Sequence, residues 1–181
     1  MFSLKRDRVV VGLVTLVCLS APARGGLIVR FDTPERTVGL GEVFTIDILA
    51  DVGDPLVGWG LDLSFDPSIL SRVDSPAIGP RWFPGSAPDG DGLAGLAFPD
   101  SISGAGVTLA SVTFSALSFG ETDLRMSTTA GDLTEGFALD PTGFAQPVFE
   151  SAHVFVVPEP ATGLLCAIAL SVIGLVRRWS W

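Results

Sequence analysis

The stretch FTIDILAD, residues 44–51, alternates apolar and polar side chains, with Leu49 as its one exception. The stretch WGLDLSF, residues 59–65, repeats the pattern. A period of two is typical of a β-strand with one buried face, because successive side chains point to opposite faces of a sheet. Trp59 is in phase with Leu61 and Leu63, so we expect it in the core. Both stretches are predicted to be half-buried strands.

The rest of the interior has the same character. Further strands are predicted at residues 27–31, 110–116, from 124 onwards and at 149–157. Between the strands lie segments rich in Gly, Pro and Asp, which favour turns. These segments are residues 51–55, 66–67, 79–80, 84–92, 103–106 and 140–143. No interior segment has a sustained helical period beyond one turn at 67–70, so the sequence predicts an all-β chain that forms an antiparallel β-sandwich.

The interior resembles cohesin-type modules, in which a strand ending in an Asp-Pro turn precedes a small apolar hook. The resemblance is carried by strand and turn positions, namely Val38, Gly39, Gly41, Val43, Phe44, Ile46, Ile48, Trp59, Leu61, Leu63, Phe65, Asp66, Pro67, Leu70, Leu109, Ala110, Val112, Thr113, Phe114, Ala116, Gly120 and Leu124. Cohesins are jelly-roll sandwiches related to carbohydrate-binding modules, and their best-known partners are dockerins. The resemblance implies a cohesin-like jelly roll over residues 24–156. A fold alone does not transfer a function.

The sequence changes character after the sandwich. The motif VPEP, residues 157–160, precedes an apolar run at 161–176, and Arg177 and Arg178 follow. As a helix this run would measure about 24 Å, slightly less than the roughly 30 Å hydrocarbon core of a bilayer. The two arginines should stay cytoplasmic, which places the motif and everything before it across the membrane. Ser171 is the only polar residue between Leu164 and Val176, so a transmembrane helix is favoured over a buried core helix.

The motif, the apolar run and the basic stop together closely resemble the PEP-CTERM sorting signal of Gram-negative bacteria that make extracellular polysaccharide. In that family the motif is recognised by an exosortase, a membrane enzyme thought to cut near it. The resemblance implies a sorting signal over residues 157–181. Its parts are the sorting motif Val157, Pro158, Glu159 and Pro160, the transmembrane helix 161–176 and the membrane stop Arg177 and Arg178. The protein would be anchored transiently in the inner membrane and then reach the outer surface or the extracellular space.

The N-terminus independently predicts export. A basic region is formed by Lys5, Arg6 and Arg8, residues 9–19 are apolar, and Ala-Pro-Ala at 21–23 fits a cleavage site for signal peptidase. Residues 1–23 are therefore predicted to be a signal peptide. A lipoprotein signal at Cys18 is the alternative, but Val17 stands where a small residue would be expected.

Cysteine positions and charge exclude several classes of function for residues 24–156. The two cysteines, Cys18 and Cys166, lie in the two predicted membrane-targeting segments. Cysteine catalysis and Cys-ligated zinc are therefore excluded for the predicted domain, which must fold without a disulfide. Six arginines stand against 18 acidic residues between Arg24 and Val157, a formal charge of about −12. A nucleic-acid partner is excluded because phosphate binding needs positive charge.

Catalytic and metal-binding motifs are sparse. His153 is the only histidine and lies in an apolar strand-like run, where a polar structural role is favoured over catalysis. Without a second histidine or a G-x-S-x-G motif, the sequence predicts a protein that is not an enzyme. Asp89 and Asp91, in DGDG at 89–92, superficially resemble a calcium loop, but apolar residues follow where ligands would be needed. A solvated turn is favoured there, with weak binding of Ca²⁺ as the alternative and no other cofactor. Asp51 with Asp54 offers a second such cluster of surface oxygens.

Arg81 and Trp82 are the candidate ligand contacts. They lie between Pro80 and Pro84, and we expect Trp82 and Phe83 to be exposed there. An exposed tryptophan could stack on a sugar ring or contact a protein, and Arg81 could hydrogen-bond sugar hydroxyls. The alternative is a loop pinned over the edge of the sandwich.

Three functions follow from these patterns. The first is adhesion of a non-catalytic surface or matrix protein to polysaccharide or to a surface protein. The second is a structural surface component without a specific ligand. The third is a carbohydrate-active enzyme, whose paired acids would be recognised by a separation in space that a sequence does not give.

Overall fold

The structure is a computed structural model that describes residues 26–85, 92–132 and 134–158. These residues form strands and contain no helix, and so none that could cross a membrane. The strands are β1 (Leu27–Phe31), β2 (Glu35–Gly39), β3 (Val43–Gly60), β4 (Asp62–Ser64), β5 (Leu70–Arg72), β6 (Ala77–Ile78), β7 (Phe83–Pro84), β8 (Ala94–Leu96), β9 (Ile102–Ala116), β10 (Gly120–Ser127), β11 (Gly136–Leu139), β12 (Phe144–Ala145), β13 (Pro147–Phe149) and β14 (Ala152–Val157). The predicted signal peptide, the predicted transmembrane helix and the membrane stop lie outside the described residues.

The strands form two sheets with one core between them. The large sheet is built around the antiparallel pair β3 and β9, and the small sheet has the order β2-β14-β10-β4. Apolar side chains from both sheets belong to a single buried cluster. Phe114 of the large sheet is fully buried, with its ring centroid 5.8 Å from that of Phe44 and 5.1 Å from that of Phe65. The all-β sandwich predicted from the alternating patterns is confirmed.

Two predicted turns are instead parts of the long strands. Residues 51–55 belong to β3 and residues 103–106 belong to β9. The two segments face each other, with Val52 opposite Gly104, and the pairing register shifts on both sides of Val52. Gly104 and Gly106 have φ angles of +128° and +63°, which glycine adopts at little cost. The turn chemistry of these segments thus produces paired bulges that bend the strands.

The stretch at 59–65 is divided between the two sheets. Trp59 is in β3 of the large sheet, while Asp62–Ser64 is β4 of the small sheet. Leu61 lies at the crossing, and its N–H donates to the Leu93 carbonyl at 3.1 Å. Trp59 and Leu61 are both buried, as their phase predicts. The chain therefore changes sheet without interrupting the buried pattern.

The predicted antiparallel sandwich contains two parallel pairs, both formed by its terminal segments. β1 pairs with β13 in the large sheet, and β2 pairs with β14 in the small sheet. Both segments cross between the sheets at the same level, where the N–H of His153 donates to the Pro34 carbonyl at 2.8 Å. The period of a strand gives its buried face but not the direction of its neighbour, so the pattern could not distinguish the two arrangements.

Strand β14 pairs with β2 and with β10, and both pairings end at the same edge of the molecule, near Val157. Gly39 lies opposite Val157, and Val156 lies opposite Gly120. We define the exit end as the turn at 40–42, the turn at 66–69, the loop at 117–119 and residues 157–158. Leu27 lies farther along the large sheet, at the start of β1, whose residues 28–31 pair with residues 48–51 of β3. The predicted signal-peptide junction and the predicted sorting motif therefore leave the sandwich at different places along its length.

Candidate functional site

Trp82 is buried, so the prediction that it is exposed was wrong. Only 5% of its surface is accessible, and its ring meets that of Trp59 edge to face at 6.2 Å. Its Nε1–H donates to the Thr108 carbonyl at 3.0 Å, and its backbone N–H donates to the Gly79 carbonyl at 3.0 Å. The loop is thus pinned over the sandwich, which was the alternative expectation. Burial of the ring depends on Trp59 and Thr108, which are distant in sequence.

The residues beside Trp82 remain accessible. Arg81 is exposed, and Phe83 is 59% exposed, as predicted for the loop. A sugar could reach the Trp82 ring only if the loop opened, because the ring faces inward. Ligand contact at Trp82 and Arg81 therefore stays a prediction, with Arg81 as its accessible part.

A cleft of about 270 Å³ lies beside this tryptophan pair. Its floor is main chain, contributed by the glycines Gly58, Gly85, Gly95 and Gly136, and its other lining residues include Trp59, Leu96, Glu135 and Phe144. Leu96 and Phe144 are 56% and 67% exposed and form the rim. No sequence pattern predicted this cleft, although Gly58, Gly60 and Gly95 lie within strands, where glycine is unusual.

Trp59 belongs to the core and also lines the cleft, and Gly95 makes this position possible. A Cβ atom on Gly95 would stand 2.6 Å from Nε1 of Trp59 and 3.0 Å from Cβ of Trp82. The indole therefore packs directly on the main chain of β8, which no other residue type would permit. Within the described part of the chain, Trp59 Nε1 is the one buried side-chain nitrogen or oxygen without a hydrogen-bond partner.

Glu135 is the acidic group of the cleft and is only 8% exposed. Its carboxylate accepts a hydrogen bond from the backbone N–H of Thr129. Burial raises the pKa of Glu135, and the negative charges of Asp62 and Asp132 raise it further. The hydroxyl of Thr129 lies 3.0 Å from Oδ2 of Asp62, so Thr129 contacts both carboxylates.

His153 belongs to a surface ion cluster on the small sheet. Its Nδ1 lies 2.6 Å from Oδ1 of Asp123, and Arg125 contacts the other oxygen of the same carboxylate at 2.5 Å. The hydrogen bond from Asp123 raises the pKa of His153 and correspondingly lowers the pKa of Asp123. Because β14 lies between β2 and β10, the histidine is on an inner strand rather than an edge strand. Because its partners are carboxylates on the neighbouring strand, His153 has a structural role on the surface of the small sheet.

The acidic candidates for calcium have different outcomes. Asp89 and Asp91 lie outside the described residues. Asp51, near Asp54 in the bulge of β3, already has partners, because its Oδ1 accepts the N–H of Gly106 at 2.7 Å and its Oδ2 lies 3.5 Å from Nε of Arg30. These contacts lower the pKa of Asp51. In the residues that the structure covers, no group of three or more His, Cys, Asp or Glu side chains could hold a metal ion.

The predicted sorting motif begins where the sandwich ends. Val157 is the last residue of β14 and is 38% exposed, and Pro158 follows on the surface. Pro158 has no N–H to donate, so the ladder with β2 cannot continue beyond Val157. Glu159, Pro160, Arg177 and Arg178 lie outside the described residues.

Solved structures with a similar fold are cohesins. The seventh ScaB type I cohesin from Pseudobacteroides cellulosolvens has a TM-score of 0.55 at 15% identity, covering 75% of this chain and 94% of that one. A non-cellulosomal cohesin from Archaeoglobus fulgidus has a TM-score of 0.58 at 15% identity, with 77% and 96% covered. The Coh-OlpC-Doc435 cohesin–dockerin complex from Clostridium thermocellum gives 0.56 at 12% identity, with 74% and 95% covered.

No protein-family model and no curated protein sequence matches the chain. Likeness at such low identity establishes the fold, which is a cohesin-like β-sandwich.

Proposed function

We propose that this is an exported, non-catalytic surface protein of a Gram-negative bacterium that is sorted through its C-terminal signal and adheres through its sandwich. Signal peptidase would remove residues 1–23, and the apolar run at 161–176 would hold the protein in the inner membrane. An exosortase would then recognise residues 157–160 and release the domain to the outer surface or the extracellular space. The observation that carries the proposal is a cohesin-like domain whose last strand ends at Val157, where the motif begins.

The position of the motif suits a processing enzyme. Val157 and Pro158 are exposed, and the strand ladder stops between them. Both prolines of the motif favour an extended chain before the apolar run. An enzyme in the membrane could therefore bind residues 157–160 without unfolding the sandwich.

Sorting is tested by expressing the protein in a host that has an exosortase. Mass spectrometry of the exported protein should find that the C-terminal segment has been removed. Replacing Pro158, Glu159 and Pro160 with alanine should leave the protein uncut. The matched control replaces the exposed Asp74 and Ser75 with alanine, which should not affect cutting. An intact Trp181 on the exported wild-type protein would contradict the sorting proposal.

A protein partner is favoured for adhesion. Cohesins of the same fold were solved as complexes with dockerins from Clostridium thermocellum and Acetivibrio cellulolyticus. The fold is thus one that has been used to bind proteins, and cohesins are not catalysts. On this basis the partner of the sandwich is a protein on the bacterial surface.

Polysaccharide is the second candidate, and the cleft is the observation that favours it. Phe144 exposes its ring at the rim, and the carboxyl of Glu135 lies beside it. An aromatic face next to a hydrogen-bonding carboxyl suits a sugar ring with its hydroxyls.

One binding experiment separates the candidates. The domain, residues 24–158, contains every residue of the buried core and can be tested alone. Labelled domain is added to cells of the host after treatment with protease or with periodate. Loss of binding after protease indicates a protein partner. Loss after periodate indicates polysaccharide, in which case Phe144→Ala should abolish binding and the exposed control Phe98→Ala should not. Absence of binding even to untreated cells would indicate a structural component and would exclude adhesion.

A further inference from the structure

Four large apolar side chains are exposed together at the exit end. Leu40 is 42% exposed, Leu117 is 51%, Phe119 is 55% and Val157 is 38%. We call these four residues the apolar tip. Single exposed apolar residues are common on protein surfaces, whereas a group at one place indicates a contact surface.

Backbone pairing brings the members of the apolar tip together. Gly39, next to Leu40, lies opposite Val157, and Gly120, next to Phe119, lies opposite Val156. The N–H of Gly41 donates to the Ala116 carbonyl at 2.9 Å, which joins the turn at 40–42 to the loop at 117–119. Three segments distant in sequence therefore present their apolar residues at one end of the sandwich.

The loop that carries Leu117 and Phe119 is held firmly. The N–H of Leu117 donates to the Ile69 carbonyl at 2.8 Å, and Oγ of Ser118 donates to the Ser68 carbonyl at 2.6 Å. The two apolar side chains thus project from a braced main chain. Their exposure is built into the fold and does not depend on a loose loop.

The charges near the apolar tip favour a neutral partner over an anionic one. Residues 39–43, 66–70, 117–121 and 156–158 contain no lysine or arginine and include Glu42, Asp66 and Glu121. Glu42 accepts the N–H of Gly39 at 2.8 Å, and Asp66 accepts the N–H and the hydroxyl of Ser68. Two of the carboxylates therefore cap local turns, and the tip suits an apolar or electrically neutral partner.

The proposed anchor brings this end close to the membrane. Four residue steps separate Val157 from Ala161, the first residue of the apolar run, and a fully extended chain covers about 14 Å in that number. The headgroup layer of one leaflet is about 5 to 7 Å thick. A domain tethered this shortly can withdraw its exit end only a few ångströms from the headgroups.

We infer that the apolar tip rests in the interfacial layer of the membrane as long as the anchor is in place, with Leu117 and Phe119 among the headgroups. This inference rests on the anchoring part of the proposed function. It commits to a lipid surface, rather than to a second copy, because the tether fixes what lies next to this end. The cleft then points away from the membrane, so the domain can meet partners before it is released.

The test uses the protein that still carries its C-terminal segment, purified from a host without an exosortase. In a background with Cys18→Ser and Cys166→Ser, a single fluorescent label is attached through Phe119→Cys, and in a matched protein through Phe98→Cys. Both positions are exposed phenylalanines, at 55% and 78%, so neither substitution should disturb folding. The proteins are inserted into phosphatidylcholine vesicles that contain lipid with a nitroxide on its headgroup.

We expect at least about twofold quenching of the label at 119 and no quenching at 98, because interfacial side chains lie at the depth of the quencher. Equal fluorescence at both positions, in protein that stays with the vesicles after an alkaline carbonate wash, would overturn the docking inference alone. Protein lost in that wash would overturn the anchor and the docking together. An unquenched label at 119 together with dimers in crosslinking would identify a second copy as the occupant and overturn the lipid assignment.

Discussion

The two ends of the sandwich, which lie at the two ends of strand β3, are packed in opposite ways. The end at the C-terminus of β3 comprises Leu56–Gly60 together with β8, β11 and residues 129–132 and 134–135, and we call it the cleft end. Glycines there let main chains approach each other closely around the cleft. At the exit end, where β3 begins at Val43, apolar side chains project into solvent instead. Close main-chain packing has little tolerance for added atoms, whereas exposed side chains contribute little to stability. Mutations at the cleft end should therefore reduce the stability of the fold, whereas mutations at the exit end should reduce contact with the membrane.

The largest expected effect is that of adding one methyl group at the cleft end. Gly60 pairs with Gly136 on one side and with Ala94 on the other, so its main chain cannot shift. A Cβ atom there would lie 2.1 Å from the Thr134 carbonyl oxygen. We expect Gly60→Ala to lower the free energy of unfolding by about 4 kcal/mol, measured by urea denaturation of residues 24–158.

The matched control is Gly26→Ala, since a Cβ atom on Gly26 would have no neighbour within 4 Å. This variant should change stability by less than about 0.5 kcal/mol. Equal stability of the two variants would mean that the glycines of the cleft end are not packing constraints.

A slightly smaller effect is expected at Trp82, whose ring closes the core beside the cleft. Trp82→Ala should cost about 3 kcal/mol, because it removes a buried ring and leaves the Thr108 carbonyl without its indole donor. The neighbouring Phe83→Ala should cost less than about 0.5 kcal/mol, since that ring is mainly exposed. Urea denaturation of the two variants would measure both changes in the free energy of unfolding. Reversal of this order would restore the expectation that Trp82 is an exposed ligand contact.

These residues also mark how far sequence reasoning could go. The buried faces of β3, β9 and β10 follow from a period of two, and the burial of Trp59 follows from its phase with Leu61. Such patterns are local, so a single sequence is enough to recognise them. Trp82 has no periodic neighbours, and its burial depends on a carbonyl that is 26 residues away in the chain.

The bulges and the candidate sites show a second limit. Residues 51–55 and 103–106 have the composition of turns, and only their position opposite each other in two long strands makes them bulges. The cleft and the apolar tip are each assembled from several distant segments. Neither Glu135 nor Phe119 belongs to a motif, so long-range pairing had to be known before they could be grouped.

The pH dependence of stability should differ in sign between the ends. Burial raises the pKa of Glu135 at the cleft end, so its stabilising contribution is present at low pH and is lost as pH rises through its folded pKa. Hydrogen bonds from the hydroxyl and N–H of Ser68 lower the pKa of Asp66 at the exit end. Its contribution is present above its unfolded pKa and is lost as pH falls through its folded pKa.

Glu135→Gln should therefore gain stability relative to the wild type as pH rises from about 4 to 7. The amide oxygen can still accept the N–H of Thr129. Asp66→Asn should be at its greatest disadvantage near neutral pH, and that disadvantage should shrink below about pH 4. Urea midpoints measured across this range give both slopes. Slopes of the same sign would contradict the difference in environment between the two carboxyls.

The smallest effect on folding is expected at the apolar tip. Leu117→Ser with Phe119→Ser should change the free energy of unfolding by less than about 0.5 kcal/mol, because both side chains are mainly in solvent and the hydrogen bonds of the loop come from its main chain and Ser118. The same double variant should reduce the quenching of a label at Leu40→Cys by headgroup nitroxides at least about twofold, since the interface would lose its apolar contacts. Phe98→Ser, at the cleft end, should leave both measurements unchanged. If the double variant lost stability and kept its quenching, the apolar tip would be part of the core and the two ends would not differ in the way proposed.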